Sequence, residues 1–121
     1  MRKALMAAVA ACSLLAASSV ANAQEKLKIG VMATLSGALT SGGEDGVRGV
    51  QIAAKELGNK LGGREFELIV TATDASPDSA LRAARKLVEQ DKVQIIIGPL
   101  SGSEGIAMRD YSKTVPNLVM I

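Results

Sequence analysis

The stretch from Val93 to Glu104, VQIIIGPLSGSE, constrains the fold of this chain more than any other part of it. The three isoleucines at 95–97 show no alternation of apolar and polar residues. A strand that is apolar throughout belongs in a parallel sheet covered on both faces. Gly98-Pro99 stops the run. Ser101 with Glu104 three residues later fits a capping box, so a helix is predicted to begin there. A helix N-terminus at the carboxyl end of a parallel strand presents unpaired N–H groups and the positive end of a dipole. With the Ser101 and Ser103 hydroxyls beside it, the loop suits a small anionic or zwitterionic group. Helix capping alone would account for the serines equally well.

The remaining chain repeats the strand-then-helix pattern. Lys26–Ala33 (KLKIGVMA) reads as a first strand, followed by a polar loop, Thr34–Gly43. A helix is predicted from about Glu44, because Val47, Val50, Ala54, Leu57 and Leu61 recur at helical spacing. Glu44 and Asp45 would lie in its first turn, and Gly62-Gly63 would end it. Arg64–Thr71 (REFELIVT) suits a second strand. Ser76-Pro77-Asp78 then opens a helix with a capping serine, a proline at the first position and an acid in the first turn. Leu81, Ala84, Leu87, Val88 and Asp91 mark its span, with Arg82, Arg85, Lys86 and Glu89 mostly outside. Val93–Ile97 is the third strand. The helix from Ser103 to about Lys113 is expected to turn Ile106, Ala107 and Tyr111 inward, and Asn117–Ile121 reads as a fourth strand.

That order, β-α-β-α-β-α-β, predicts an α/β fold with a doubly wound, mostly parallel sheet. Ligands of such sheets sit beyond the carboxyl ends of the strands, where loops 36–43, 74–77 and 98–103 fall. Ending on a strand with no covering helix leaves an unsatisfied edge, so the chain is expected to be part of a larger domain.

The first 23 residues read separately. Arg2 and Lys3 precede an uncharged, alanine-rich run from Ala4 to Val20, and Ala21-Asn22-Ala23 supplies the small residues a signal peptidase reads. This is the pattern of a secretory signal peptide, with cleavage expected before Gln24. The run is about 17 residues long, at the short limit for a membrane span, and alanine is only weakly hydrophobic. Val9-Ala10-Ala11-Cys12 loosely matches a lipobox, but the apolar stretch before it is short and a better cleavage site follows. Without Arg2 and Lys3, twelve basic residues face twelve acidic ones. No basic face for nucleic acid is implied.

The chemical inventory excludes more than it offers. There is no histidine, and the single cysteine, Cys12, falls inside the expected leader. The commonest general base, a thiol nucleophile and the usual zinc ligands are therefore missing from residues 24–121. No metal or cofactor site is expected. Gly98-Pro99-Leu100-Ser101-Gly102 has one residue too many before the serine for a nucleophile elbow. Glu65 and Glu67 share one face of a strand and read as solvated surface. Gly43, Gly46 and Gly49 match neither a dinucleotide fingerprint nor a P-loop, and close helix–sheet approach is the preferred account of them. Asp74 is expected to cap backbone N–H groups of its own loop rather than to meet a ligand.

Taken in order, Leu35-Ser36-Gly37 after the first strand, the glycine-rich helix start, Asp74-x-Ser76-Pro77 and IIGPLSGS at 96–103 resemble periplasmic binding proteins of the leucine/isoleucine/valine type, which serve ABC importers. The resemblance covers Lys26 to Ile121. It implies a type I periplasmic-binding fold, with residues 24–121 forming a partial N-terminal lobe whose companion lobe is absent. It also implies a non-enzymatic, periplasmic protein that closes around a small solute, an amino acid or organic acid, and delivers it to a membrane permease. In such proteins the loop after the third strand grips the solute's carboxylate, a role that would fall on Ser101, Gly102 and Ser103. Gly102 stands where the family carries its principal serine, so the hydroxyl would come from Ser103 or its task would pass to the backbone. Ser36 and Gly37, or Thr40 and Ser41, would line the cleft mouth. Two other readings of an exported doubly wound domain are a truncated enzyme and the sensing domain of a receptor.

Overall fold

The computed structural model describes residues 24–121; the expected signal peptide at 1–23, Cys12 included, lies outside the described residues. The elements run β1 (Leu27–Thr34), α1 (Thr40–Glu56), β2 (Lys60–Leu61), β3 (Arg64–Thr73), α2 (Pro77–Arg85), β4 (Ile95–Ile97), α3 (Gly102–Ser112) and β5 (Val119–Met120). A π-helical turn, Lys86–Gln90, extends α2. The strands form one sheet in the order β2-β3-β1-β4-β5. The β3-β1, β1-β4 and β4-β5 pairs are parallel, and only the short β2 runs antiparallel. The expected α/β, doubly wound and mostly parallel sheet is what forms.

Two apolar clusters hold helices to opposite faces. Ile29, Ala54 and Phe66 join α1 to one face. Met32, Ala80, Ala84, Leu87, Ile96 and Met108 join α2 and α3 to the other. Leu87 and Ile96 are fully buried. At about 1.5–3 kcal/mol for each large side chain taken out of water, this second cluster is the stronger of the two. Gly30 makes room for Leu87, whose Cδ1 lies 3.0 Å from where a β-carbon would stand.

The α2 N-terminus forms as its sequence predicts: Ser76 caps it, accepting from the Ser79 N–H, with Pro77 at the first position. α1 departs from expectation at both ends. It begins at Thr40 rather than Glu44, so Gly42 and Gly43 are helical, and Glu44 and Asp45 lie past the first turn. Glycine costs a helix about 1 kcal/mol relative to alanine. Here the cost is offset because only a residue without a side chain lets the α1 backbone lie against Thr34. At Gly46 and Gly49 a side chain would meet nothing within 4 Å, so the close-approach reading holds for Gly43 and fails for the other two. At the far end Leu57 caps the helix and Gly58, with φ +61°, turns the chain out of it. Leu61 therefore lies on β2, and Gly62-Gly63 is the two-residue hairpin turn joining Leu61 to its partner Arg64. Both turn glycines have positive φ, as the tight hairpin turns that match strand twist require.

α3 also shows a corrected face. Ala107 and Tyr111 are half-buried as expected, but Ile106 is 60% exposed, while Glu104 and Met108 are fully buried. Glu104 and Met108 together mark the inner face of this helix. Glu65 and Glu67 are both exposed, as their alternation with Phe66 requires.

Candidate ligand site

The carboxyl edge of the sheet is organised around two threonines. Thr34 ends β1, Thr73 ends β3, and the two are register partners. Both are buried, with their hydroxyls 3.3 Å apart. Beyond them the chain leaves each strand in a turn. From Thr34 it runs through Ser36 and Gly37, both exposed, with Ser36 Oγ 3.5 Å from the Thr73 carbonyl. From Thr73 it runs through Asp74, Ala75 and Ser76. From β4 it turns at Gly98, whose φ of +101° and close contact with the Met32 carbonyl leave no room for a side chain.

The turn after β3 is fixed locally. Asp74 Oδ1 accepts from the Ser76 N–H at 2.9 Å, and the Asp74 N–H donates to Ser79 Oγ at 3.1 Å. The Ser76 hydrogen bonds hold the Asp74 carboxyl below its ordinary value. This is the loop-capping role expected of it. Ala75 adopts a φ of +70°, an uncommon conformation for a residue with a side chain. That conformation belongs to the turn that presents its carbonyl to α3: Ser103 Oγ donates to it at 3.0 Å, and Ser101 Oγ lies 3.2 Å from it.

The start of α3 carries the capping box in full. Ser101 Oγ accepts from the Glu104 N–H, and Glu104 Oε2 accepts from the Ser101 N–H, each at 3.3 Å. Of the four N–H groups a helix start leaves without intrahelical partners, the box takes those of Ser101 and Glu104. The N–H groups of Gly102 and Ser103 find no partner among the described residues, and both residues are exposed. They stand at the positive end of the helix dipole, with the Ser103 hydroxyl beside them. Such an arrangement offers two backbone donors to an anionic oxygen, and the Ser103 hydroxyl adds a third only by leaving the Ala75 carbonyl.

Ser36, Gly37, Ser101, Gly102 and Ser103 all lie at the carboxyl edge, on loops tied together through Thr73 and Ala75. Thr40 does not belong with them as a loop residue. It is the first residue of α1, and its hydroxyl donates to the Gly37 carbonyl at 2.7 Å. Ser41 follows it into the helix. On the α1 side of the Gly98–Leu100 turn, an open apolar slot of about 140 Å³ is lined by Val31, Gly43, Val47, Ile97, Pro99 and Leu100. Sequence reasoning missed the Thr34–Thr73 pair and the Ala75 carbonyl. Both depend on strand register, and Ala75 carries no side-chain signal at all. Among the described residues no cluster of three metal-ligating side chains forms, and no helix is long and apolar enough to cross a membrane.

This fold with its serine-bearing helix start has clear relatives. Residues 26–120 match the family model described as periplasmic binding protein, and the chain belongs to that family. It is 30% identical over 107 residues to Leu/Ile/Val-binding protein homolog 7 of Brucella suis, covering 88% of this chain and 26% of the relative. An ABC transporter substrate-binding protein from Sphaerobacter thermophilus superposes with a TM-score of 0.70 at 37% identity, covering 74% of this chain and 24% of that one. A solute-binding protein of an ABC transporter from R. palustris, in complex with benzoate, superposes with a TM-score of 0.69 at 27% identity, covering 74% and 25%. The fold is that of the type I periplasmic-binding proteins, and these relatives are solute-binding proteins. The chain spans about a quarter of the length of the relatives it matches.

Proposed function

We propose that residues 24–121 form part of the N-terminal lobe of a periplasmic solute-binding protein, and that the start of α3 grips the carboxylate of a small amino acid or organic acid for delivery to an ABC permease. The observation that carries this reading is the pair of N–H groups at Gly102 and Ser103 that the capping box leaves over among the described residues, where ligands of parallel α/β sheets bind. The apolar slot next to the same turn suits the hydrocarbon part of such a solute, since ligand sites combine apolar walls with few polar anchors. The relatives' names point to two kinds of carboxylate, the branched-chain amino acids and benzoate. Ser36 and Gly37 are assigned to the cleft mouth, and Thr40 to the support of their loop. The leader at 1–23 would direct the protein to the periplasm.

A thermal-shift screen of the full-length protein tests the reading. L-leucine, L-isoleucine, L-valine and benzoate are compared with leucinamide and benzamide. A carboxylate at about 100 times its Kd is expected to add about 2.7 kcal/mol of apparent stability, with the matching amide far behind. Equal stabilisation by acid and amide would remove the carboxylate grip, and no response to any carboxylate would remove the transport reading. The isolated segment 24–121 is expected to bind none of them saturably, because half a cleft does not bury a small molecule.

A further inference from the structure

Glu104 is the one acidic residue buried completely, and a capping box does not require that. α2 is capped by Ser76 with a serine, Ser79, at the position equivalent to Glu104. Glutamate is almost never fully buried unless paired, because losing water costs a charged or polar group several kcal/mol. Something beyond the helix cap holds this side chain inside. Its Oε2 gathers three donors: the Ser101 hydroxyl at 2.8 Å, the Ser101 N–H at 3.3 Å and the Thr34 hydroxyl at 3.3 Å. Thr34 is in turn 3.3 Å from the Thr73 hydroxyl. One carboxylate oxygen therefore joins the first turn of α3 to the ends of β1 and β3. Oε1, equally buried, has no partner among the described residues.

The bonding also divides the two serines. Ser101 is engaged on every side, by Glu104 Oε2, the Glu104 N–H and the Ala75 carbonyl. Ser103 makes one bond through its hydroxyl to the Ala75 carbonyl, has the Ser101 hydroxyl 3.3 Å away, and is exposed. We infer that Glu104 is a positioning residue for the candidate site. Acting through Ser101, it locks the start of α3 to the carboxyl ends of β1 and β3, and it leaves the Gly102 and Ser103 N–H groups as the donors that face solvent. This rests on the proposed function for its consequence in binding, but not for the lock itself.

The test compares Glu104→Ala, Glu104→Gln and Thr34→Val in the full-length protein, with Ser101 amide exchange and affinity for benzoate and L-leucine as readouts. Glutamine also serves at this position of a capping box, so it is the conservative rescue. Glu104→Ala is expected to speed Ser101 exchange about tenfold or more, and to weaken whichever probe the wild type binds by a similar factor. Glu104→Gln should stay within about threefold of wild type on both readouts. Unchanged Ser101 exchange in Glu104→Ala would overturn the lock. Faster exchange with unchanged affinity would reduce Glu104 to a helix cap. A wild type that binds neither probe sinks the transport reading instead, and Ser101 exchange in Thr34→Val, where the cap is intact, still decides the lock. If Glu104→Ala does not fold, Thr34→Val carries the test, because it removes one donor from Oε2 and leaves the cap intact. It is expected to show about threefold effects in the same directions, and no effect on exchange would overturn the lock.

Discussion

Gly43 lies so close to the Thr34 carbonyl that a β-carbon at position 43 has no room. The contact seats the first turns of α1 on the last residue of β1, and Thr34 is also where Glu104 reaches the sheet. Three helical glycines in this region thus have unequal roles.

Gly43→Ala is expected to destabilise the chain by about 1–3 kcal/mol or more, since backbone must shift to admit the methyl group. Gly46→Ala, at an exposed helical position with open space around it, should stabilise by about 0.5–1 kcal/mol. Urea midpoints of the two variants decide it, and equal shifts in the same direction would contradict the packing described.

The rotation of α3 predicts a second contrast. Met108→Ala should cost about 2–5 kcal/mol, as expected when a fully buried methionine is truncated. Ile106→Ser, on the exposed face, should stay within about 0.5 kcal/mol of the parent. If Ile106 proved the costlier site, the helix would be turned the other way.

For ligand binding, Ser103→Ala in the full-length protein is expected to weaken benzoate or L-leucine by about 1–3 kcal/mol, the cost of leaving a buried carboxylate oxygen without a donor. Calorimetry provides the measurement. An unchanged affinity would assign Ser103 to the loop alone.

Asp110 supplies a dependence on pH. Its carboxylate accepts from Arg109 Nε at 3.0 Å and from Lys113 Nζ at 3.1 Å. The Arg109 hydrogen bond, ahead of that from Lys113, pushes its pKa from 3.8 down to about 2. A folded value below the unfolded one means stabilisation that is present above 3.8 and is lost as pH falls through about 2. The gap in urea midpoint between wild type and Asp110→Asn should therefore close on acidification through that window. Asp110 and both its partners are exposed, so the gap should be small and shrink in about 1 M salt. A gap that widens with acid would have the wrong sign.

Much of this architecture was legible in the residues. The apolar run at 95–97, the Ser76-Pro77 start and the Ser101–Glu104 box rest on local chemistry, and each formed as expected. The resemblance carried by the serine loop was matched by the family. The errors fell where local rules met long-range packing. Gly43 read as loop because its close approach to the Thr34 backbone is a packing contact of α1 on β1 that no neighbouring residue signals. Leu61 read as helical because its spacing continued the pattern of Leu57, while the positive φ values at Gly58, Gly62 and Gly63 turned the chain into a hairpin.

The sequence by itself determined the alternation of strand and helix, the capped start of α3 and the absence of histidine, because these follow from neighbouring residues or from composition. Only the tertiary structure decided that Glu104 goes inside and Ile106 outside. It also decided that Ser101 is engaged by Glu104 and Ala75 together, while Ser103, exposed, is tied down only through its hydroxyl. A burial rule based on apolarity cannot foresee this. Hydrogen bonds from Thr34 and Ser101 offset the desolvation of a carboxylate only after β1, β3 and α3 have been brought together.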